Sequence, residues 1–121
     1  MSTMNNAVTW FEIGTSDPAA ASAFYGGLFG WKFSSDKEYS EIDPSAEGGI
    51  AGGIMPLGGG ATGYAIFYVQ VADVPAAVAA AEAAGGKLAV GPKGDPDGLT
   101  FAHLLDPAGN RFGVFTPPAA S

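Results

Sequence analysis

Few side chains in this sequence could carry proton-transfer chemistry, and Glu12 and His103 are the foremost of them. His103 is the only histidine, and imidazole is the side chain that ordinarily exchanges a proton near neutral pH. Glu12 lies between Phe11 and Ile13, in a segment that should be covered. If the fold brings Glu12 within reach of His103, the two would form an acid/base couple. The alternatives are a Glu12 in water at the rim of a cavity and a His103 with a structural hydrogen bond only.

The composition excludes several classes of function. The chain has no cysteine, so disulfides, thiolate catalysis and thiolate metal sites are excluded. Five lysine and arginine residues against twelve acidic ones give a net charge of −7, which argues against a nucleic-acid partner. The acidic surface could attract a cationic ligand, or it could serve solubility alone. No apolar run is long enough for a membrane span, and residues 1–6 lack the features of a signal peptide, so a cytoplasmic location is expected.

The sequence nearly repeats itself at an offset of 56 residues. Asp17 aligns with Asp73 and Gly30 with Gly86, and an alanine-rich run follows each aspartate. A repeated strand–helix unit predicts two similar halves, and two similar halves usually enclose a cavity. The 121 residues are predicted to form a single domain, with unit one over about 7–57, a glycine-rich linker over 58–63 and unit two over about 64–117.

Strand and helix signals occur in the same order in both halves. Runs of β-branched and aromatic residues predict strands, and an acidic N-cap before an alanine-rich run predicts a helix. For unit one these signals predict strand 7–14, a helix from Asp17 to about Tyr25, and strands near 30–34, 39–43 and 49–56. For unit two they predict strand 64–71, a helix over about 75–84, and strands near 87–91, 99–105 and 110–116. The predicted fold is α+β, with two tandem βαβββ units.

Three local features of unit one follow from residue types. Gly26 and Gly27 should end the first helix, because glycine commonly terminates helices. Phe24 and Leu28 lie four residues apart on one helix face and are expected to pack inward. An exposed edge or loop is expected for Glu38, Tyr39 and Glu41.

Five groups of motifs follow one another along the chain: residues 10–13 (WFEI) before Asp17-Pro18, Phe24-Tyr25 with residues 28–31 (LFGW), residues 71–74 (VADV), residues 85–87 (GGK), and residues 106–110 (DPAGN). Together they resemble the vicinal oxygen chelate superfamily, which includes glyoxalase I, extradiol dioxygenases, fosfomycin-resistance enzymes and bleomycin-resistance binding proteins. The resemblance covers roughly residues 7–117. It implies a curved, partly open barrel-like sheet with the site inside, and a homodimer. It says little about chemistry, because one fold hosts many functions.

The resemblance also defines where a metal would be held. Similar enzymes take one ligand, usually His or Glu, from the first and the last strand of each unit. Those positions correspond here to Trp10, Ile66, Gly113 and a residue near 54–57. None is a ligand, and no His, Asp, Glu or Cys occurs in residues 48–72 or 107–121. The expectation is no bound metal, no other cofactor, and no glyoxalase, dioxygenase or fosfomycin-type reaction.

Strand alternation predicts what would line the cavity instead. If Trp10 faces the cavity, Glu12 does too, and the repeat adds three residues of the strand at 64–71. The resemblance adds residues of the last two strands. The predicted ligand-binding set is mostly aromatic with a few polar groups, as in small-molecule pockets: Trp10, Glu12, Tyr64, Ile66, Tyr68, Phe101, His103, Arg111 and Phe115. The alternative for Trp10 is that it only fills the core.

Two functions from different classes remain open, and the sequence leaves undecided whether the protein is an enzyme. The first is a metal-independent small-molecule binding protein of the bleomycin-resistance type, which sequesters an aromatic or cationic compound. The second is a metal-free isomerase, lyase or tailoring enzyme of secondary metabolism that uses His103 and Glu12 as acid and base. A third reading is a dimeric scaffold without a pocket. The expected partners are a small-molecule ligand and a second copy of the chain.

Overall fold

The computed structural model describes residues 4–34, 39–95 and 98–118. Eight strands and two helices occur in these ranges: β1 (Val8–Thr15), α1 (Pro18–Phe29), β2 (Lys32–Phe33), β3 (Ser40–Asp43), β4 (Gly52–Pro56), β5 (Tyr64–Gln70), α2 (Val74–Ala83), β6 (Lys87–Gly94), β7 (Thr100–Leu105) and β8 (Arg111–Thr116). This is an α+β fold with the βαβββ order twice, and the predicted fold class is confirmed. Neither helix in the described ranges has the length and apolar character needed to cross a membrane.

The two helices begin in the same way. Asp17 and Asp73 are N-caps whose carboxylates accept the backbone N–H of Ala20 and Ala76, each at 3.0 Å. A proline lies in the first turn of each helix, where its missing N–H costs no hydrogen bond. An N-cap of this kind contributes about 1 kcal/mol to stability. The repeat in the sequence is therefore also a repeat of the helix start.

The first helix ends later than predicted, at Phe29, and it contains Gly26 and Gly27. Gly30 forms the C-cap in a left-handed conformation with φ of 75°, and its N–H bonds to the carbonyl of Gly26 at 2.8 Å. Close packing explains a glycine inside the helix, because a Cβ at Gly26 would lie only 3.3 Å from the Phe33 ring.

The prediction that Phe24 and Leu28 pack inward is wrong. Their side chains are 62% and 59% exposed. Ala21 and Tyr25 instead pack against the buried core residues Ile13, Ile42 and Ile54. Ala21 and Tyr25 thus occupy the face of α1 that meets the strands, which leaves Phe24 and Leu28 outside it.

The chain divides into two compact units. The N-terminal unit spans residues 10–66, and its strand order is β2-β3-β4-β1 with β1 parallel to β4. The C-terminal unit contains the residues from Phe67 onward together with those up to Thr9, and its strand order is β6-β7-β8-β5 with β5 parallel to β8. In this unit α2 covers one face, where Val74 and Val78 pack against Ala102, Leu104 and Val114.

The parallel strand pair of each unit places equivalent residues opposite a glycine. Glu12 lies opposite Gly53, and its repeat Tyr68 lies opposite Gly113. The counterpart of Gly113 is therefore Gly53, and the predicted range of 54–57 was wrong by one residue. Equivalent residues of the two units are 56 positions apart on the first strand (Glu12 and Tyr68) and 60 positions apart on the last (Gly53 and Gly113).

The strand before the last one shows where the two units differ in length. Glu41 of β3 lies opposite Gly53, and His103 of β7 lies opposite Gly113. The offset between Glu41 and His103 is 62 residues, against 56 on the first strand. The second half therefore has more residues between β5 and β7 than the first half has between β1 and β3. It has two fewer between β7 and β8 than the first half has between β3 and β4.

Candidate functional site

All nine predicted site residues lie on the strand faces turned away from the helices. Phe11 and Ile13 of β1 pack toward α1, so Trp10 and Glu12 point to the opposite face. In the C-terminal unit Ala102, Leu104, Phe112 and Val114 belong to the helix-side core. The alternate residues of β5, β7 and β8 lie on the other face. The structure agrees with the strand alternation that predicted these nine residues. Their role in ligand binding stays a prediction.

Glu12 is the centre of a hydrogen-bonded group in the N-terminal unit, called here the Glu12 cluster and formed by Trp10, Glu12, Tyr39 and Tyr64. Only 3% of Glu12 is exposed. Tyr39 donates its hydroxyl to Oε1 at 3.0 Å, and Tyr64 donates to Oε2 at 2.6 Å. The indole N–H of Trp10 donates to the Tyr39 hydroxyl oxygen at 3.0 Å. Each carboxylate oxygen thus has a phenol donor, and the predicted alternative of a water-exposed Glu12 is wrong.

Tyr39 is the site residue that the sequence analysis missed. It was expected on an exposed edge, but it is half-buried and contacts both Trp10 and Glu12. Burial, and next the charge of Glu12, raise the pKa of Tyr39 well above its usual range. Glu41 is exposed as predicted, and Glu38 lies outside the described residues.

A glycine makes room for a tyrosine on the last strand of each unit. A Cβ at Gly53 would collide with the hydroxyl and ring of Tyr39. A Cβ at Gly113 would lie 2.5 Å from the ring of Tyr68. Glycine in a strand often marks such a close approach, so Gly53 is a signal that some group lies against the strand there, although it does not identify Tyr39.

A second group in the C-terminal unit is called here the Tyr68 cluster and is formed by Tyr68, Phe101, His103, Arg111 and Phe115. Tyr68 and His103 are each 4% exposed. The Tyr68 hydroxyl lies 2.6 Å from Nε2 of His103, and Nη1 of the exposed Arg111 lies 3.2 Å from Nδ1. A guanidinium only donates, so Nδ1 accepts. A neutral ring with its proton on Nε2, donating to Tyr68, satisfies both hydrogen bonds.

Aromatic rings complete the Tyr68 cluster. The Phe115 ring meets Tyr68 edge to face with centroids 6.0 Å apart. The Phe101 ring lies 6.1 Å from the imidazole of His103. Such aromatic pairs add about 0.5–1.5 kcal/mol beyond the burial of their area. The cluster thus combines three aromatic rings with the polar atoms of its phenol, imidazole and guanidinium.

The remaining predictions concern Ile66, Trp10 and the acid/base couple. Ile66 is buried, and Trp10 is half-buried. Glu12 is hydrogen-bonded within the N-terminal unit and His103 within the C-terminal unit. A direct Glu12–His103 couple stays a prediction.

An open cavity of about 400 Å³ lies beside Trp10 in the N-terminal unit. Its volume falls in the range of small-molecule pockets, about 300–1,000 Å³. The walls are mainly residues of β2, β3 and their flanks: Trp10, Lys32, Phe33, Ser34, Glu41, Ile42, Asp43, Pro44 and Ala51. Trp10 is among the lining residues, and its role in ligand binding stays a prediction.

The family model of the Glyoxalase/Bleomycin resistance protein/Dioxygenase superfamily matches residues 7–114. The chain belongs to this superfamily. No curated protein matches the chain.

Solved structures of several enzymes share the fold. A methylmalonyl-CoA epimerase from Mycobacterium tuberculosis is 14% identical with a TM-score of 0.65, and the match covers 98% of this chain and 93% of that one. A Mn(II)-bound glyoxalase from Novosphingobium aromaticivorans is 20% identical with a TM-score of 0.62, covering 98% of this chain and 42% of that one. A 2,3-dioxygenase from Pseudomonas sp. KL28 is 13% identical with a TM-score of 0.60, covering 93% and 43%. At these identities the likeness concerns the fold alone.

The residues present do not fit a metal of the kind that the glyoxalase holds. In the described ranges no group of three or more His, Cys, Asp or Glu side chains could hold an ion. Gly53 and Gly113 offer no ligating atom, and tyrosine rings fill the space that a side chain there would need. Glu12 already accepts hydrogen bonds on both carboxylate oxygens.

The glycine–tyrosine contacts predict the effect of adding a single methyl group. Gly53→Ala and Gly113→Ala should each lower the free energy of unfolding by about 1–3 kcal/mol, because the added carbon overpacks a tyrosine ring. Chemical denaturation measures this change. Gly59→Ala is the control, since no atom lies within 4 Å of its Cβ position. The cost of Gly53→Ala should largely vanish in a Tyr39→Ala background, and an undiminished cost there would contradict the assigned contact.

The raised pKa of Tyr39 predicts a loss of stability in alkaline solution. Above pH 10 an unfolded tyrosine ionises, whereas Tyr39 in the folded protein keeps its proton. Its contribution is therefore complete below about pH 10 and is lost as the pH rises toward its folded-state value. Between pH 8 and pH 11 the denaturation midpoint should fall further for the wild type than for Tyr39→Phe. An equal fall in both proteins would contradict this assignment.

Proposed function

We propose that this superfamily member is a metal-independent small-molecule binding protein that sequesters an aromatic or cationic compound. The observation that carries the proposal is the glycine covered by a tyrosine at the same strand position of both units. At these positions the chain presents phenol hydroxyls and aromatic rings in place of side chains that chelate a cation. Rings with few, fixed polar groups suit the recognition of a small organic molecule.

The hydrogen bonds of His103 favour binding over catalysis. Both ring nitrogens are committed, Nδ1 to Arg111 and Nε2 to Tyr68. A general base must present a free lone pair to the substrate, and this imidazole would first have to release a partner. In the present arrangement His103 orients the Tyr68 phenol.

The proposal also includes a homodimer in the cytoplasm.

The binding proposal predicts saturable, metal-independent ligand uptake. Protein purified from cells should contain less than stoichiometric metal by elemental analysis. A panel of cationic, neutral and anionic aromatic compounds should include at least one that quenches tryptophan fluorescence saturably, with the same affinity in the presence of excess chelator. One tightly held transition-metal ion per chain, or affinity that chelator abolishes, would contradict the proposal.

The alternative is a metal-free enzyme that uses Glu12 and His103 as acid and base. It is favoured by the burial of both groups within hydrogen-bonded clusters, and by fold likeness to epimerases over nearly the full length of both chains. Epimerisation next to a carbonyl removes and returns a carbon-bound proton, so an active enzyme would exchange that proton with solvent.

Solvent exchange separates the two functions. With methylmalonyl-CoA and related carbon acids in deuterated water, we expect no deuterium incorporation above the rate in buffer, measured by mass spectrometry. Incorporation that His103→Gln or Glu12→Gln abolishes while the circular dichroism spectrum stays unchanged would establish the enzyme instead.

A further inference from the structure

The cavity beside Trp10 combines a tryptophan wall with an excess of negative charge. We propose that it binds an organic ammonium ion, a protonated or quaternary amine that carries an apolar group. This inference rests on the proposed function and names the site and the ligand class within it.

Trp10 presents a ring whose position is fixed. Its indole N–H is bonded to the hydroxyl of Tyr39, which is itself bonded to the buried Glu12. The negative face of an aromatic ring attracts a cation, and tryptophan does so most strongly. A ring held by a hydrogen bond loses little conformational entropy when the ligand arrives.

The charges that line the cavity favour a cation. Glu41 and Asp43 line it together with one base, Lys32. Lys32 lies directly across from Asp43 in the β2–β3 pair, and the Asp43 carboxylate also accepts the N–H of Ser45 at 2.8 Å. The two carboxylates and one ammonium that line the cavity therefore leave it a net charge of −1. Within the described ranges no hydrogen bond or ion pair engages the Glu41 carboxylate.

The charge of the whole unit supports this assignment. Residues 10–66 contain seven acidic and two basic residues, so −5 of the net charge of −7 belongs to the unit that holds the cavity. Such a field raises the local concentration of cations and opposes anions. The other walls include Pro44 and Ala51, which suit the apolar group of the amine.

A pair of isosteric probes isolates the contribution of the positive charge. Choline and 3,3-dimethyl-1-butanol have nearly the same shape, and only choline is charged. Titrations of the full ¹⁵N-labelled chain would follow the indole N–H resonances. The chain has two tryptophans, and Trp31 is an internal reference because it packs against Tyr25 at 5.6 Å on the helix side.

Choline should shift the Trp10 resonance saturably and leave that of Trp31 in place. The alcohol should bind about tenfold more weakly, since it lacks both the cation–π contact and the attraction of the exposed carboxylate. Glu41→Gln should weaken choline binding about threefold, whereas Glu82→Gln on α2 of the other unit should leave it unchanged. Raising the salt concentration should weaken choline but not the alcohol.

Three results would overturn the inference: no saturable shift of Trp10 with choline, equal affinity for the alcohol, or an equal effect of Glu41→Gln and Glu82→Gln. If choline fails while a neutral aromatic compound from the panel binds, the ammonium site is refuted and the binding function stands. If every compound fails and the purified protein holds a metal, both are refuted.

Discussion

The missing β-carbon at Gly53 and Gly113 determines what lies on the strand face of each unit that is turned away from its helix. Both glycines sit on the last strand, opposite the first, and a tyrosine ring rests against each of them closer than any other residue would allow. Because the ring occupies that space, a carboxylate or an imidazole at this position would require the ring to move. The rest of each cluster follows from where these two phenols come to lie.

The two phenols have different partners, and the clusters differ accordingly. In the N-terminal unit, Tyr39 joins Tyr64 in donating to a buried carboxylate, so the group is acidic and its charge is held by hydrogen bonds. In the C-terminal unit, Tyr68 meets an imidazole whose other nitrogen accepts from Arg111. The same backbone arrangement thus supports one anionic and one basic group. Membership of the superfamily accounts for the arrangement of the strands, and the chemistry depends on the side chains placed on it.

Local signals in the sequence were sufficient for the parts of the fold that local forces determine. Asp17 and Asp73 predicted both helix starts, because an N-cap acts on the next turn only. Alternation predicted which residues of β1, β5, β7 and β8 leave the helix side, since the period of a strand is two. The class of fold and the order of the elements followed from these signals.

The errors arose where packing across the strands overrides local preference. Gly26 and Gly27 predict a helix end, yet both lie within α1, where the missing β-carbon of Gly26 leaves room for the Phe33 ring. Phe24 and Leu28 are turned outward because Ala21 and Tyr25 occupy the face of α1 that packs against the core. Tyr39 was missed because its neighbours in the sequence are polar. Its reach toward Glu12 depends on the strand register at Gly53, which no local pattern encodes.

The unequal spacing of the two halves bears on how such a protein can diverge. The extra residues of the second half fall between β5 and β7, yet β5 and β8 keep Tyr68 opposite Gly113, just as β1 and β4 keep Glu12 opposite Gly53. Peripheral segments can therefore lengthen or shorten without displacing the side chains of the inner strand pair. A lineage built on this duplication is free to remodel its peripheral strands by insertion and deletion, while the paired strands β1 and β4, and β5 and β8, change only by substitution.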